Sequence, residues 1–234
     1  MMIKAVIFDF DGVIADSEEI HYRAFVEVLE PYGIHLDHQV YWDTYLGYND
    51  RDAYSHINAD NNNVLTEEEI DWLIDEKAVA FDEIVRRDGV IIDGVFEFLK
   101  MLKDNSIPMA ICSGASLLDI ENVFKATEKR TGCDLTRVFK VIVSADDVVK
   151  GKPHPEGYML TLDKLNHILG KEIQPSECLV IEDSHWGIEA GKAAGMKVLA
   201  VTNSYPREKL EKVADMVVDS LKPLNIAYIS ENIG

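Results

Sequence analysis

The fold of this chain is decided by the stretch Ala5-Val6-Ile7-Phe8-Asp9-Phe10-Asp11-Gly12, in which four apolar residues are followed at once by two carboxylates and a glycine. A short unbroken apolar run is typical of a strand buried on both faces of a parallel sheet. In open sheets of this kind, ligands bind beyond the carboxyl ends of the strands. Asp9 and Asp11 could therefore hold a hard cation such as Mg²⁺, and one of them could attack an electrophile. An ordinary acidic turn has the same composition, so the rest of the chain has to separate the two interpretations.

The chain beyond residue 89 alternates between short apolar runs and helical segments. Strands are predicted at 108–112, 141–143, 178–181, 198–201 and 216–218, and helices at 94–103, 117–126, 158–169 and 186–194. This alternation predicts right-handed βαβ units and a parallel sheet. Residues 34–88 lack a β-branched strand run, and helices are predicted there at 37–46, 50–57 and 67–87. We therefore expect an α/β fold, with a Rossmann-like parallel-sheet core domain (1–17 and 89–234) and an inserted α-helical cap domain (18–88).

Composition and charge exclude several classes of partner. The 234 residues are 47% hydrophobic and 28% charged, which is typical of a globular protein. A formal net charge of −19 argues against binding to nucleic acid or to anionic membranes. The three cysteines show no C-x-x-C spacing, and neither a signal peptide nor a membrane-spanning run is recognisable. We expect a cytoplasmic protein, and nothing in the sequence requires more than a monomer.

Three later strand ends also deliver residues that can carry chemistry. Ser113 and Gly114 follow the strand at 108–112 and open a helix, an arrangement whose backbone N–H groups suit an anion. Lys152 lies in a Lys-Pro-x-Pro context, which stiffens the backbone around it. Glu182 and Asp183 follow the strand at 178–181. Because a parallel sheet brings such ends together, these acids would lie beside Asp9 and Asp11, and a bound Mg²⁺ is the simplest relief of their repulsion.

Taken together, these segments resemble the signature motifs of the haloacid dehalogenase-like hydrolase superfamily. The resemblance is carried, in order, by Asp9-Phe10-Asp11-Gly12-Val13, by Ser113, by Gly151-Lys152-Pro153 and by Glu182-Asp183-Ser184 with the following Gly187–Gly191. It extends over essentially the whole chain. A helical cap between the first and second motifs resembles the branch that contains β-phosphoglucomutase and phosphoglycolate phosphatase.

The resemblance implies a role for each acidic residue. Asp9 would be the nucleophile that accepts the phosphoryl group as an aspartyl-phosphate. Asp11 would protonate the leaving alcohol and then activate water. Mg²⁺ would be held by the Asp9 carboxylate, the Asp11 backbone carbonyl and Asp183, with Glu182 bound directly or through water.

The remaining positions implied by the resemblance bind substrate. Ser113, the Gly114 N–H and Lys152 would hold the phosphoryl oxygens. The cap would supply specificity: His21 matches a position that faces the leaving group or the substrate, and Arg51 lies in a segment, residues 46–51, resembling the cap loop that reaches into the site. The Arg51 guanidinium suits a second phosphate or a carboxylate of the substrate.

These features predict a Mg²⁺-dependent phosphatase that hydrolyses a small phosphorylated metabolite, a sugar or short organic phosphate monoester. The alternative is a β-phosphoglucomutase-like phosphotransferase, which differs in whether water or a sugar hydroxyl reaches the aspartyl-phosphate. Arg51 stands one residue later after the glycine than expected for that mutase, which favours hydrolysis. Dehalogenation would need neither Asp11 nor a metal, and phosphonate hydrolysis would need a Schiff-base lysine, for which the cap offers Lys77 alone. A non-catalytic binding module would be expected to lack one of the motif residues, and all are present.

Overall fold

Six strands in the described part of the chain form one parallel sheet, which confirms the predicted fold class. The strands are β1 (Ala5–Phe8), β2 (Met109–Cys112), β3 (Val141–Val143), β4 (Cys178–Glu182), β5 (Lys197–Val201) and β6 (Met216–Val218), in the spatial order β3-β2-β1-β4-β5-β6. β1 lies between β2 and β4, with Val6 level with Met109 on one side and Leu179 on the other. Every side chain of β1 is buried, as its apolar run predicts.

The structure is a computed structural model that describes residues 2–45, 48, 50–88, 91–222 and 224–233. It divides into two units, Met1–Asp16 with Ile91–Gly234, and Ser17–Val90. The first unit holds the sheet and six of the helices: α5 (Val95–Asp104), α6 (Leu117–Thr131), α7 (Glu156–Leu169), α8 (His185–Ala193), α9 (Arg207–Leu210) and α10 (Ile226–Asn232). Its core joins side chains of β1, β2 and β4 to those of α7 and α8. No helix in the described ranges combines the length and apolarity that crossing a membrane requires.

The regular secondary structure in the described residues of the second unit is helical. The unit contains α1 (Ser17–Leu29), the short α2 (His38–Val40), α3 (Asp50–Asp60) and α4 (Glu67–Asp88). A capping box at Thr66 and Glu69 opens α4: the Glu69 carboxylate accepts the Thr66 N–H at 2.8 Å, and the Thr66 hydroxyl accepts the Glu69 N–H at 3.2 Å. The unit has its own apolar core, built from α1, α3 and the first turns of α4.

The helices α9 and α10 were not predicted from the sequence, and two predicted helices differ from the structure. The helix expected at 117–126 continues to Thr131 and ends where Gly132 adopts a left-handed conformation with φ 71°. Its last turn is polar because it is solvent-exposed, and polarity alone does not end a helix. The helix expected at 37–46 is instead α2 followed by a π-helical turn at Tyr41–Tyr45, which buries both of those tyrosines. Leu46 lies outside the described residues, as do Gly47 and Asn49 of the predicted cap loop.

Candidate active site

The site begins where β1 ends. The Asp9 N–H donates to the Ile181 carbonyl at 2.9 Å, which continues the sheet by one residue and fixes the start of the acidic turn. Gly12 then adopts a left-handed conformation with φ 69°. A Cβ atom at Gly12 would overlap the Asp183 carboxylate, so glycine is required here both for the turn and for the close approach of the two loops.

Lys152 joins two of the predicted carboxylates. Its ammonium group donates to Asp9 Oδ1 at 2.7 Å and to Glu182 Oε1 at 2.7 Å. The Lys152 side chain is only 16% exposed, and its Nζ lies 5.2 Å from the centre of the Tyr158 ring. Burial alone would lower the pKa of Lys152, but the charges of Asp9 and Glu182 raise it above its usual value. Lys152 is therefore a fixed cation in a nearly dry site.

Glu182 is fully buried, and both of its carboxylate oxygens have protein donors. Oε1 accepts hydrogen bonds from Lys152 and from the Tyr158 hydroxyl, the latter at 2.9 Å. Oε2 accepts the Asp183 N–H at 2.9 Å, the Ser184 N–H at 3.0 Å and the Ser184 hydroxyl at 3.0 Å. Burial would raise the pKa of Glu182, but Lys152 and these donors hold it below its usual value. This arrangement suits a carboxylate that orients Lys152 and the loop after β4.

Among the residues that the structure describes, the group that could hold a metal ion is Asp9, Glu182 and Asp183. Each offers a carboxylate oxygen, and these oxygens lie within 4.8 Å of one another. Asp183 also accepts a hydrogen bond from the Ser204 hydroxyl. The donors are all oxygens, the set that Mg²⁺ prefers. Because the Glu182 oxygens are already engaged, Asp9 and Asp183 are the better placed of the three for direct contact with an ion.

The electrostatics of this cluster favour an added cation. Burial and the charges of Glu182 and Asp11 raise the pKa of Asp9 to about 7, although Lys152 opposes the shift. Burial, with the charges of Glu182 and Asp9, raises the pKa of Asp183 well above its usual value. One lysine thus faces several carboxylates at low exposure, and a divalent cation would offset the excess negative charge.

Ser113, Gly114 and Lys152 line a single cavity of about 270 Å³. Ser113 directly follows β2, where its N–H donates to the Val143 carbonyl at 2.9 Å and its hydroxyl accepts the Ala115 N–H at 2.9 Å. Gly114 is exposed beside it. The three residues therefore share one concave surface, although neither Asp9 nor Asp183 lines it. A hydroxyl, a backbone amide and an ammonium group are together a donor set that suits phosphate oxygens.

Asp11, the second acid of the opening motif, is half-buried. It lies close enough to Asp9 for its charge to raise the pKa of that residue. The turn that follows is held by the Phe10 carbonyl, which accepts the N–H groups of Ile14 at 2.8 Å and Ala15 at 3.0 Å.

The two predicted cap residues, His21 and Arg51, belong to the second unit. Nδ1 of His21 lies 3.0 Å from Lys77 Nζ, and its ring stacks on Phe81 with centroids 4.4 Å apart. Burial and the Lys77 charge lower the pKa of His21 to about 3, so the imidazole is neutral. The Arg51 guanidinium is half-exposed and forms ion pairs within its own unit, with Asp71 and, at 3.6 Å, with Glu67.

Three residues of the site were not found from the sequence: Tyr158, Asn203 and Ser204. The Asn203 amide donates to the Gly12 carbonyl at 2.7 Å, and Ser204 donates to Asp183. A signal for these two residues was present, since they follow the predicted strand at 198–201 and the carboxyl ends of all parallel strands meet at one edge. Tyr158 lies within α7, and nothing in the sequence around it indicates that it belongs to the site.

A Gly187→Ala exchange is expected to destabilise the protein, because the added Cβ would overlap the Glu182 carboxylate. Glu182 cannot yield without breaking the hydrogen bonds that orient it. Overpacking of this kind costs about 1–3 kcal/mol in the free energy of unfolding, which urea denaturation would measure. Gly151→Ala is the matched control, since no heavy atom lies within 4 Å of its added Cβ. Equal stability of the two variants would contradict the expectation.

A family model, a relative of known sequence and two solved structures each match most of this chain. The family model described as haloacid dehalogenase-like hydrolase matches residues 6–201. A phosphorylated carbohydrates phosphatase of Thermotoga maritima is 30% identical over 228 residues, covering 96% of this chain and 98% of the relative. The crystal structure of CbbY from Rhodobacter sphaeroides in complex with xylulose-(1,5)bisphosphate has a TM-score of 0.75 at 25% identity, covering 97% and 98% of the two chains. A β-phosphoglucomutase structure from Clostridium difficile has a TM-score of 0.71 at 27% identity, covering 99% and 97%.

Proposed function

The chain belongs to the haloacid dehalogenase-like hydrolase family, and from that premise we propose that Asp9, Asp11 and Lys152 form the catalytic centre of a Mg²⁺-dependent phosphatase. The protein is a phosphoric monoester hydrolase of a phosphorylated small molecule, in agreement with its phosphatase relatives. We propose sugar phosphates or short organic phosphates as substrates. The observation that carries the proposal is the buried contact of Lys152 with both Asp9 and Glu182.

The proposed first step is attack of an Asp9 carboxylate oxygen on phosphorus. The bond from phosphorus to the leaving oxygen breaks, and the leaving alcohol takes a proton from the Asp11 carboxyl. Asp11 then removes a proton from water as that water attacks the phosphorus of the aspartyl-phosphate, which releases inorganic phosphate and regenerates Asp9. Lys152, the Ser113 hydroxyl and the Gly114 N–H hold the phosphoryl oxygens and stabilise the charge that they carry in the transition state.

The residues at the site fit Mg²⁺, with Asp9 and Asp183 as the carboxylates that would hold it and Glu182 as their neighbour. The Asp11 backbone carbonyl completes the proposed set. When bound, Mg²⁺ neutralises negative charge on the carboxylates and on the phosphoryl oxygens. Together with Lys152 it would allow a protein of net charge −19 to bind an anion.

Removal of divalent metal is expected to abolish phosphate release, which should return when Mg²⁺ is added. Mg²⁺ should also raise the melting temperature, since a ligand at about 100 times its Kd stabilises the folded state by about 2.7 kcal/mol. Asp183→Asn should lose both effects, whereas Asp215→Asn, at a carboxylate paired with Lys197 beyond β5, should keep them. Full activity after exhaustive chelation would exclude the metal requirement.

The deciding experiment for the function is a phosphate-release assay over a panel of phosphorylated metabolites, with and without Mg²⁺. Release from at least one sugar or short organic monoester is expected. No release from any of them, by a folded protein with Mg²⁺ present, would overturn the proposal.

A phosphomutase is the second candidate, because the structural similarity to β-phosphoglucomutase extends over nearly the whole chain. Both activities would use the same Asp9 intermediate. Conversion of β-glucose 1-phosphate in the presence of a bisphosphate primer, at a rate above that of phosphate release, would favour the mutase.

A further inference from the structure

The first unit has a second cavity, which lies away from the proposed catalytic centre. Its volume is about 240 Å³, and Met109, the first residue of β2, lines it. Ser113 follows the last residue of the same strand and lines the other cavity. A strand of four residues spans about 13 Å. The two cavities therefore lie at opposite edges of the sheet, and the second one is found where β2 and β3 begin.

The second cavity has a basic rim, although the chain as a whole is acidic. Four of its lining residues are cationic and exposed: Lys103, Arg137, Lys140 and Lys171. None of the described residues that line it is acidic. Arg137 pairs with Asp134 at 2.8 Å, but in the described part of the chain none of the three lysine ammonium groups forms an ion pair or a hydrogen bond. Cations that share a cavity without a carboxylate repel one another, and a bound anion would relieve that repulsion.

Stabilisation of helix ends does not account for the whole rim. Lys103 lies in the last turn of α5 and Lys171 just beyond the end of α7, where a positive charge is favoured. Lys140 has no such helix end to stabilise. It directly precedes β3, and its N–H donates to the Met109 carbonyl at 2.8 Å, which fixes it beside the start of β2.

The cavity also has an apolar floor, whose residues are buried or half-buried where those of the rim are exposed. The floor consists of Ile107, Pro108, Met109, Val138 and Leu169. Apolar surface that remains open to water in a concave site is stabilised by contact with an apolar group of a ligand. An inorganic ion would offset the charge of the rim but would leave the floor hydrated. The floor therefore favours an organic anion.

We propose that this cavity is a second, non-catalytic binding site, for a small organic phosphate whose apolar part contacts the floor and whose phosphate group contacts the rim. The Arg137 guanidinium suits phosphate oxygens through parallel N–H donors, and the lysines add charge. The volume of about 240 Å³ lies below that of pockets for drug-sized ligands, so the apolar part is about the size of one ring. All lining residues belong to the first unit, and the inference does not depend on the proposed function.

The test uses phenylphosphonate, which joins one apolar ring to a doubly charged group and has no ester bond to hydrolyse. It is titrated into the full chain with saturating Mg²⁺, and binding is followed by amide NMR. The N–H signals of Ile107, Met109 and Val138 should shift together and give one Kd. Binding of the probe at the proposed catalytic centre would be seen separately, at Ser113 and Gly114. Shifts confined to Ser113 and Gly114, or no shifts at all, would overturn the inference.

The contribution of the rim is tested by Lys140→Gln, which should weaken binding at this cavity about tenfold, as expected for loss of one hydrogen bond to a charged group. Lys212→Gln is the matched control: it removes the same charge from an exposed position before β6, outside the cavity, and should leave Kd unchanged. Equal weakening in both variants would show that net charge sets the affinity. An unchanged Kd in both would show that the rim does not bind the anion. Either result contradicts the proposed site.

The contribution of the floor is tested with methylphosphonate, which carries the same charge without the ring. It should bind at the cavity about tenfold more weakly, because less apolar surface is removed from water. Equal affinity for the two phosphonates would exclude an organic ligand. Lys140→Gln leaves the proposed catalytic residues unchanged, so its phosphate release should equal that of the wild type. Absence of phosphate release from the wild type would overturn the proposed function alone.

Discussion

Asp9→Asn is expected to abolish phosphate release while the protein stays folded. The amide cannot supply the carboxylate oxygen that attacks phosphorus, and removal of a covalent nucleophile lowers kcat on the order of 10⁵-fold or more. Folding should survive because asparagine has nearly the same size, and because a buried carboxylate whose pKa is raised to about 7 is not itself a stabilising charge. Phosphate release and thermal unfolding, measured on the same preparation, check both parts.

The control for this exchange is Asp93→Asn, the same substitution at an exposed carboxylate of the first unit, 3.0 Å from Lys222. It should leave both rate and stability close to wild type. Wild-type turnover by Asp9→Asn would show that Asp9 is not the nucleophile.

Lys152→Met is expected to damage activity and stability together. The phosphate-binding residues would lose their fixed cation. We expect kcat/KM to fall about 10³-fold, as is typical when such a group is removed. Asp9 and the fully buried Glu182 would also lose the ammonium that each contacts at 2.7 Å. Breaking a buried ion pair from one side costs about 3–5 kcal/mol, which urea denaturation in the absence of metal would detect.

The two effects can be separated with a second exchange. The double variant Lys152→Met with Glu182→Gln also removes the buried carboxylate that the single variant leaves without a countercharge. Its free energy of unfolding should therefore recover in part, while its activity stays low. Recovery of activity in the double variant would mean that Lys152 serves only to neutralise Glu182. An unchanged free energy of unfolding in the single variant would contradict the ion-pair argument.

Much of this site was accessible from the sequence because parallel sheets obey a simple rule. Asp9, Ser113 and Asp183 each follow an apolar run, and the carboxyl ends of parallel strands lie at one edge. The same rule applied to the strand at 197–201 would have drawn attention to Asn203 and Ser204. Tyr158 was beyond reach, because a tyrosine in an amphipathic helix is ordinarily a core residue, and only packing shows that its hydroxyl meets Glu182.

In the cap, the helices were predictable from the sequence but the pairing of its charged residues was not. Its helices were largely predictable from local signals such as the capping box at Thr66 and the apolar stripe of α4. The burial of Lys77 within that stripe was not, because its partners Asp50 and His21 are 27 and 56 residues away in the chain. Arg51, predicted as a substrate ligand, is paired with Asp71 and Glu67 of its own unit.

The sequence by itself determined the class of fold, the family and the types of residue at the strand ends, because apolar periodicity and motif order are local properties of a chain. The tertiary structure decided which charges are matched: Lys152 with Asp9 and Glu182, and Lys77 with Asp50. The physical reason is that the energy of an ion pair depends on distance and on the water removed around it. Both quantities are set by residues far apart in the chain, and they become defined only when the chain has folded.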